Sequence, residues 1–381
     1  MNRYQVQNSR ICVAVSGGID SLRTAALLKE QGCDVVAIHM KLFQEDTIPS
    51  QKLERIKRIL GTFGIDRIHL VDFSNHFEKL VIQPFIQSYI SGMTPNPCTI
   101  CNPTVKFGLL LDYATRVMGC SYLATGHYAR IEKSPYDTAR FAIRKAKDQK
   151  KDQSYFLFAL AQDQLRKVIF PLGNISKREV LKWARNRRLE EMVQIESQEI
   201  CFISAGRYSD FLENRVPPAL LKAGPIKDLN GRVLGYHGGV HLYTVGQRRG
   251  LGIPSHAPYY VVKIEPETAT IYVGRKKDIF SESATVQSVV WGAIEPPSAG
   301  SEFRAFVKIR QQHTPQPAII SVHSFTEAKV VFDEPQPAIT PGQAAVFYDE
   351  DGFVLGGGFI KREASLDEKT SKPCGMEYQP A

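Results

Sequence analysis

Two cysteines three positions apart, in TPNPCTICN over residues 94–102, are the first residues of this chain whose type and spacing could do chemistry. Cys98 and Cys101 fit half of a zinc site, a thioredoxin-like redox pair, ligands of an iron–sulfur cluster, or one nucleophile with an incidental neighbour. A second candidate is SGGIDS, residues 16–21. Its two glycines let the backbone pass close to an anion, while Ser16, Ser21 and the free N–H groups of a helix start can donate to phosphate oxygens. A plainer reading is a Gly-Gly turn capped by Asp20. The absence of G-x-x-x-x-G-K-[ST] excludes a Walker-type nucleotide loop, and no G-x-G-x-x-G follows the preceding strand, which argues against a dinucleotide fold.

These groups need elements to position them. Residues 11–15 read as a strand, residues 20–31 place Leu22, Ala25, Ala26 and Leu28 at helical spacing until Gly32, and residues 35–39 read as the next strand. That βαβ unit puts SGGIDS between strand and helix, where open α/β sheets bind ligands. Further alternation follows: helices near 51–62 and 76–91, a strand at 68–73, a helix from 103 to about 118, a strand at 122–125, and a helix rich in Arg and Lys at 174–189. The fold class expected is α/β, a parallel-sheet domain over residues 1–205. After Pro217 glycine and proline become frequent, giving a small, turn-rich central domain over 206–282. Short strands broken by PPSAG, TPQP, EPQP and DEDG give a compact antiparallel barrel or sandwich over 283–362, and 363–381 is a polar tail.

Composition bounds the function. The 381 residues are 43% hydrophobic, enough to bury a full core, and the longest early apolar run, ICVAV, is too short for a signal peptide or a membrane span. A cytosolic protein with no membrane partner is expected. Seven cysteines in so long a chain suit reduced, reactive or metal-binding thiols better than a disulfide framework, and the net charge of +9 argues for a polyanionic partner.

SGGIDS resembles the SGGxDS signature of the PP-loop ATP pyrophosphatases, with the adenine nucleotide alpha hydrolase-like fold, which cleave ATP between the α and β phosphates and pass AMP to a substrate oxygen. Argininosuccinate and guanylate synthetases are other members. Six further stretches narrow the choice: MTPNPCTICNPTVKFG, ATGHYAR, KDQSYFL, SQEICF, YTVGQRRGLG and TPGQAAVFYD. Together, over about residues 10–360 and in the same order, they resemble the tRNA-specific 2-thiouridylases, which replace with sulfur the oxygen at carbon 2 of the wobble uridine.

That resemblance implies ATP with Mg²⁺, a tRNA bound by its anticodon arm, and a separate sulfur donor such as a cysteine desulfurase or relay protein. Cys201 corresponds to the persulfide carrier and Cys101 to the cysteine that frees the sulfur. Ala14, Val15, Ser16, Gly17, Gly18, Ile19, Asp20, Ser21, Met40 and Gly126 correspond to the ATP site, and Asn96, Pro97 and Cys98 to the segment that meets the target base. His127, Lys151, Asp152, Gln153, Arg310, Gln311 and Gln343 correspond to tRNA contacts. Sulfur must react as an anion, and Asn102 followed by Pro103 reads as a helix cap and first helical residue, which places Cys101 just outside a helix N-terminus whose dipole favours thiolate.

The pattern breaks at two positions. Many family members carry Asp where this chain has Cys98, and Leu42 stands where the family has Asn. An aspartate accepts a proton; a thiol does so poorly, although a thiolate binds metal. Cys98, Cys101 and Cys201 would be enough to hold a [4Fe–4S] cluster with one iron open for sulfide, as in related tRNA thiolases. A structural zinc lacks a fourth ligand at the right spacing. Elsewhere, RKAKDQKK over residues 144–151 and the group Lys177, Arg178, Lys182, Arg185, Arg187 and Arg188 form basic surfaces. In EFRAFVKIR the alternation sets Arg304, Phe306, Lys308 and Arg310 on one face, a combination of charge and aromatic suited to a splayed single strand, or a charged edge strand.

Overall fold

The computed structural model describes residues 7–43, 50–189, 191, 200–203 and 208–363. Ser197, Gln198 and Glu199 of SQEICF and the tail beyond Glu363 lie outside them.

The first domain is built on β1 (Arg10–Ala14), β2 (Asp34–Lys41), β3 (Ile68–Asp72) and β4 (Tyr122–Ala124), with Val168–Ile169 as a short edge strand. The spatial order is β3-β2-β1-β4 and then the edge strand, and every pairing is parallel. β1 shows why the strands read as near-continuous apolar runs. Ile11 and Val13 enter one buried cluster and Cys12, between them, enters the other, so both faces of the sheet are covered. In the helix Ile19–Glu30, Leu22, Ala25, Ala26 and Leu28 are all buried, as their spacing predicts. The strand order reverses between β1 and β4, which opens a crevice at their carboxyl ends.

The central domain is a four-stranded sheet in the order Tyr260–Glu265, Thr270–Gly274, Gly224–Asp228, Val233–His237. The C-terminal domain is a closed six-stranded barrel. Closure corrects the edge-strand reading of EFRAFVKIR: the strand Glu302–Lys308 is bonded on both sides, to Gln316–Ser324 and to Ala344–Tyr348. The alternation itself holds, with Ala305, Val307 and Ile309 buried and Arg304 and Phe306 exposed.

Strand Ala344–Tyr348 is buried along its whole length because it serves two cores. Ala345 and Phe347 point into the barrel, while Ala344, Val346 and Tyr348 join Phe158 and Leu160 in the core of the first domain. Gly357 permits this approach, since a Cβ there would stand 2.8 Å from Ala345 O and 2.9 Å from the Phe158 ring. The barrel is thus seated on the first domain through apolar packing, the dominant favourable term in association.

Candidate active site

The phosphate loop leaves β1 at its carboxyl end. Val15 N–H continues the ladder to Ile38 O at 2.8 Å, and the buried His39 ring meets Val15 O at 2.6 Å, so the base of the loop is fixed. Gly17 then takes φ +88°, a conformation that favours glycine. The Ser21 hydroxyl donates to Gly18 O at 2.8 Å and accepts from Ser16 N–H at 3.2 Å, which holds the turn open. No side chain caps the helix that starts at Ile19, leaving its first turn directed at the crevice. Asp20 does not act as a cap. Its two carboxylate oxygens take the Tyr128 hydroxyl at 2.8 Å and the Lys177 ammonium at 2.6 Å.

The turn after β4 lies against this loop. A Cβ on Gly126 would stand 3.0 Å from the carbonyl carbon of Asp20 and 3.1 Å from Ser21 N, so any larger residue would press on the loop backbone. Met40, at the carboxyl end of β2, packs against the core beside the same crevice. His127 is half-buried, shares a 2.7 Å hydrogen bond with the Thr125 hydroxyl through Nδ1, and packs its ring 5.6 Å from both Phe107 and Phe170. Burial, then the Lys106 charge, holds it well below the usual imidazole range, so it is neutral.

The cysteine helix corrects one expectation. Its cap is Asn96, whose side chain accepts from Cys98 N–H at 3.1 Å, with Pro97 as first residue; Asn102 and Pro103 lie inside. Two Asn-Pro pairs six residues apart carry the same cap signature. The second is tolerated because the helix widens to π geometry over Asn102–Leu109, where the i−4 carbonyl no longer crowds the proline ring. Asn102 is buried and its amide donates to Phe156 O at 2.9 Å. Cys101 therefore sits in the second turn, buried, and loss of hydration pushes its thiol up to about 12. Cys98, at the second helical position, occupies the end that the dipole makes positive.

Cys201 comes to the same place. Its neighbour Phe202 enters the apolar cluster that contains Cys101, packing edge-on to Phe77 and Phe85. Cys201 is itself solvent-exposed; its thiol is raised to about 11, first by desolvation and then by Cys98, and the Cys101 thiol feels both other sulfurs. Lys106 opposes the rise at Cys101 and at Cys201. The three thiols are neighbours without making a metal site. Among the described residues no group of three or more His, Cys, Asp or Glu is placed to hold a single metal ion.

The residues matched to tRNA contacts are largely engaged within the protein. Asp152 is buried, accepting from Ala146 N–H at 2.9 Å and from the Ser154 hydroxyl at 2.7 Å, so it shapes the basic loop. Gln153 Oε1 accepts from Tyr128 N–H at 2.9 Å. Arg310 donates to Pro337 O, Gln311 to Asp152 O, and Gln343 to Thr94 O. Lys151 is half-buried, and Lys147, Lys150, Arg178, Lys182 and Arg185 are exposed on the same domain.

Tyr128 and Lys106 escaped the sequence reading, and Lys177, read there as part of a basic surface, is instead paired with Asp20 of the phosphate loop. Lys177 carried a signal. It opens a helix behind a Ser176–Glu179 capping box, where a cation opposes the dipole and needs another reason to be there. Among the described residues no helix is long and apolar enough to cross a membrane.

Comparison with known proteins agrees along the chain. Residues 9–205 match the family model of a tRNA methyl transferase HUP domain, 209–275 a tRNA methyl transferase PRC-barrel domain, and 281–360 an aminomethyltransferase beta-barrel domain. A tRNA-specific 2-thiouridylase MnmA of Geobacter metallireducens is 42% identical over 94% of this chain and 98% of its own. One of Solibacter usitatus is 40% identical over 92% of this chain and 99% of its own. A solved U34-tRNA thiolase NcsA from Methanococcus maripaludis, with its [4Fe-4S] cluster, is 20% identical with a TM-score of 0.34, covering 56% of this chain and 67% of that one.

Proposed function

The chain belongs to the tRNA-specific 2-thiouridylase family, and from that premise we propose that it uses ATP to place sulfur at carbon 2 of the wobble uridine of a tRNA. Its substrate is tRNA and its class is sulfurtransferase. A uridine carbonyl oxygen is a poor leaving group, so it first attacks the α-phosphorus of ATP. The O–P bond forms, the α–β bridge breaks, and pyrophosphate departs on the SGGIDS loop. Mg²⁺ brought with ATP would neutralise the charge that develops on its phosphates.

A persulfide on Cys201 then attacks carbon 2 and AMP leaves with the original oxygen. Cys101 gives up its thiol proton as its sulfur attacks the Cys201 sulfur, the S–S bond of the adduct breaks, and its electron pair stays on the sulfur bound to carbon 2. A Cys101–Cys201 disulfide remains, to be reduced by an external thiol; the persulfide is reloaded by a donor of the cysteine desulfurase class.

The observation that supports this reading is the continuity between the two centres. Gly126 rests on the phosphate loop, the adjacent His127 ring packs on Phe107 of the cysteine helix, and Lys106 beside it acts on the thiols. Pyrophosphate release from ATP that requires tRNA is expected; equal release without tRNA would reject it. No step is routed through iron, so iron-free protein should thiolate. A requirement for about four iron atoms per chain would contradict that.

A further inference from the structure

Thr94, in the first domain, is held by the other two at once. Its N–H donates to Pro341 O of the barrel at 2.9 Å, its carbonyl accepts from the Gln343 side-chain amide at 2.7 Å, and its hydroxyl donates to the Thr244 hydroxyl of the central domain at 3.1 Å. Both backbone groups of one loop residue are thus satisfied by the barrel and its side chain by the central domain. The barrel turn is shaped for this approach. Gly342 has φ +88°, and a Cβ there would stand 3.0 Å from Met93 Cβ and 3.1 Å from Thr94 N. On the other side Gly92, with φ +67°, lies against the central domain, where a Cβ would stand 2.9 Å from Ile264.

Two residues on, Asn96 caps the helix that carries Cys98 and Cys101. A rigid path of two residues, stiffened by Pro95, therefore runs from the three-domain joint to the cap of the cysteine helix. Gln311 makes a parallel bond from the barrel to the basic loop, donating to Asp152 O at 3.1 Å.

We infer that Thr94, Gln343 and Thr244 form a positioning joint, which sets the cysteine helix in register with a tRNA gripped by the barrel. Gln343 acts on the protein and not on the nucleic acid. This rests on the thiolation reading for its substrate, but its structural part is separately measurable. A partly buried carbonyl that loses the Gln343 donor is left poorly solvated, and the loop that carries it opens more often.

The test uses Gln343→Met, which keeps length and removes the donor, and Thr244→Val, which lies in the other domain. Amide hydrogen exchange over residues 93–101 should quicken by about tenfold in both, the scale expected for loss of one hydrogen bond. The dissociation constant for tRNA should stay within about twofold while thiolation kcat falls about tenfold, since small misplacement of reacting groups is costly. A weaker tRNA complex with unchanged exchange in Gln343→Met would make that residue a direct RNA contact and overturn the joint. Unchanged exchange in both variants would overturn it as well. If wild-type protein thiolates no tRNA while exchange still quickens, the substrate reading fails and the joint stands.

Discussion

Asp20 of the phosphate loop and Lys177, 157 residues later, are joined by an ion pair of 2.6 Å. The lysine is the better buried partner, with its side chain 13% exposed against 28% for the aspartate. A carboxylate in a phosphate loop repels a triphosphate unless a cation stands with it, and Lys177 supplies that cation from the far end of the domain. Lys177→Met should weaken ATP binding by about tenfold or more, the worth of a charge-assisted hydrogen bond, and leave AMP binding unchanged. Calorimetric titration with both nucleotides checks this. Equal losses for the two would mean that Lys177 only maintains the loop.

Gly126→Ala should leave the chain folded and impair adenylation by about a hundredfold, since an ångström-scale displacement near reacting groups costs that much. The added methyl would press on the Asp20–Ser21 peptide. Tm measured alongside pyrophosphate release separates the two effects, and normal release would show that the phosphate loop yields freely.

Burial raises the Cys101 thiol from an ordinary value of 9.0 to about 12. Folded protein therefore binds more protons than unfolded protein between these values. The stability from Cys101 is complete below pH 9 and is lost as pH rises toward 12. Alkylation of Cys101 by iodoacetamide should keep climbing above pH 9, where a free thiol levels off. Lys106→Met should slow alkylation at Cys101 and Cys201 together, because that ammonium opposes the rise at both. A plateau near pH 9, followed by peptide mass spectrometry, would contradict this environment.

Exposed Lys150 and Arg178 should contribute to tRNA affinity through phosphates. Substituting either with Ala should lower the slope of log affinity against log salt by about one. Asp152→Asn should leave that slope unchanged and lower Tm, since Asp152 is buried in bonds to Ala146 and Ser154. Filter binding across a salt series distinguishes them, and an altered slope in Asp152→Asn would return it to the RNA surface.

What the sequence revealed depended on distance along the chain. SGGIDS was legible because its strand, turn and helix start are contiguous, and the alternation of EFRAFVKIR was legible because strand periodicity is local. The cap of the cysteine helix was misread because Asn96-Pro97 and Asn102-Pro103 carry one signature, and only the π geometry of residues 102–109 decides between them. The Lys177 pair, the shared cluster of Cys101 and Phe202, and the Thr94 joint are contacts between distant segments. No local pattern encodes them. Gln311 and Gln343 were matched to RNA by motif, while their hydrogen bonds run between domains.

A single turnover with persulfide-loaded protein, ATP and unmodified tRNA tests the two-cysteine sulfur step most directly. Mass spectrometry should find 2-thiouridine and a Cys101–Cys201 disulfide in equal amounts, with Cys101→Ser and Cys201→Ser both adenylating tRNA and neither thiolating it. Undiminished thiolation by either variant, or 2-thiouridine formed without the disulfide, would contradict it.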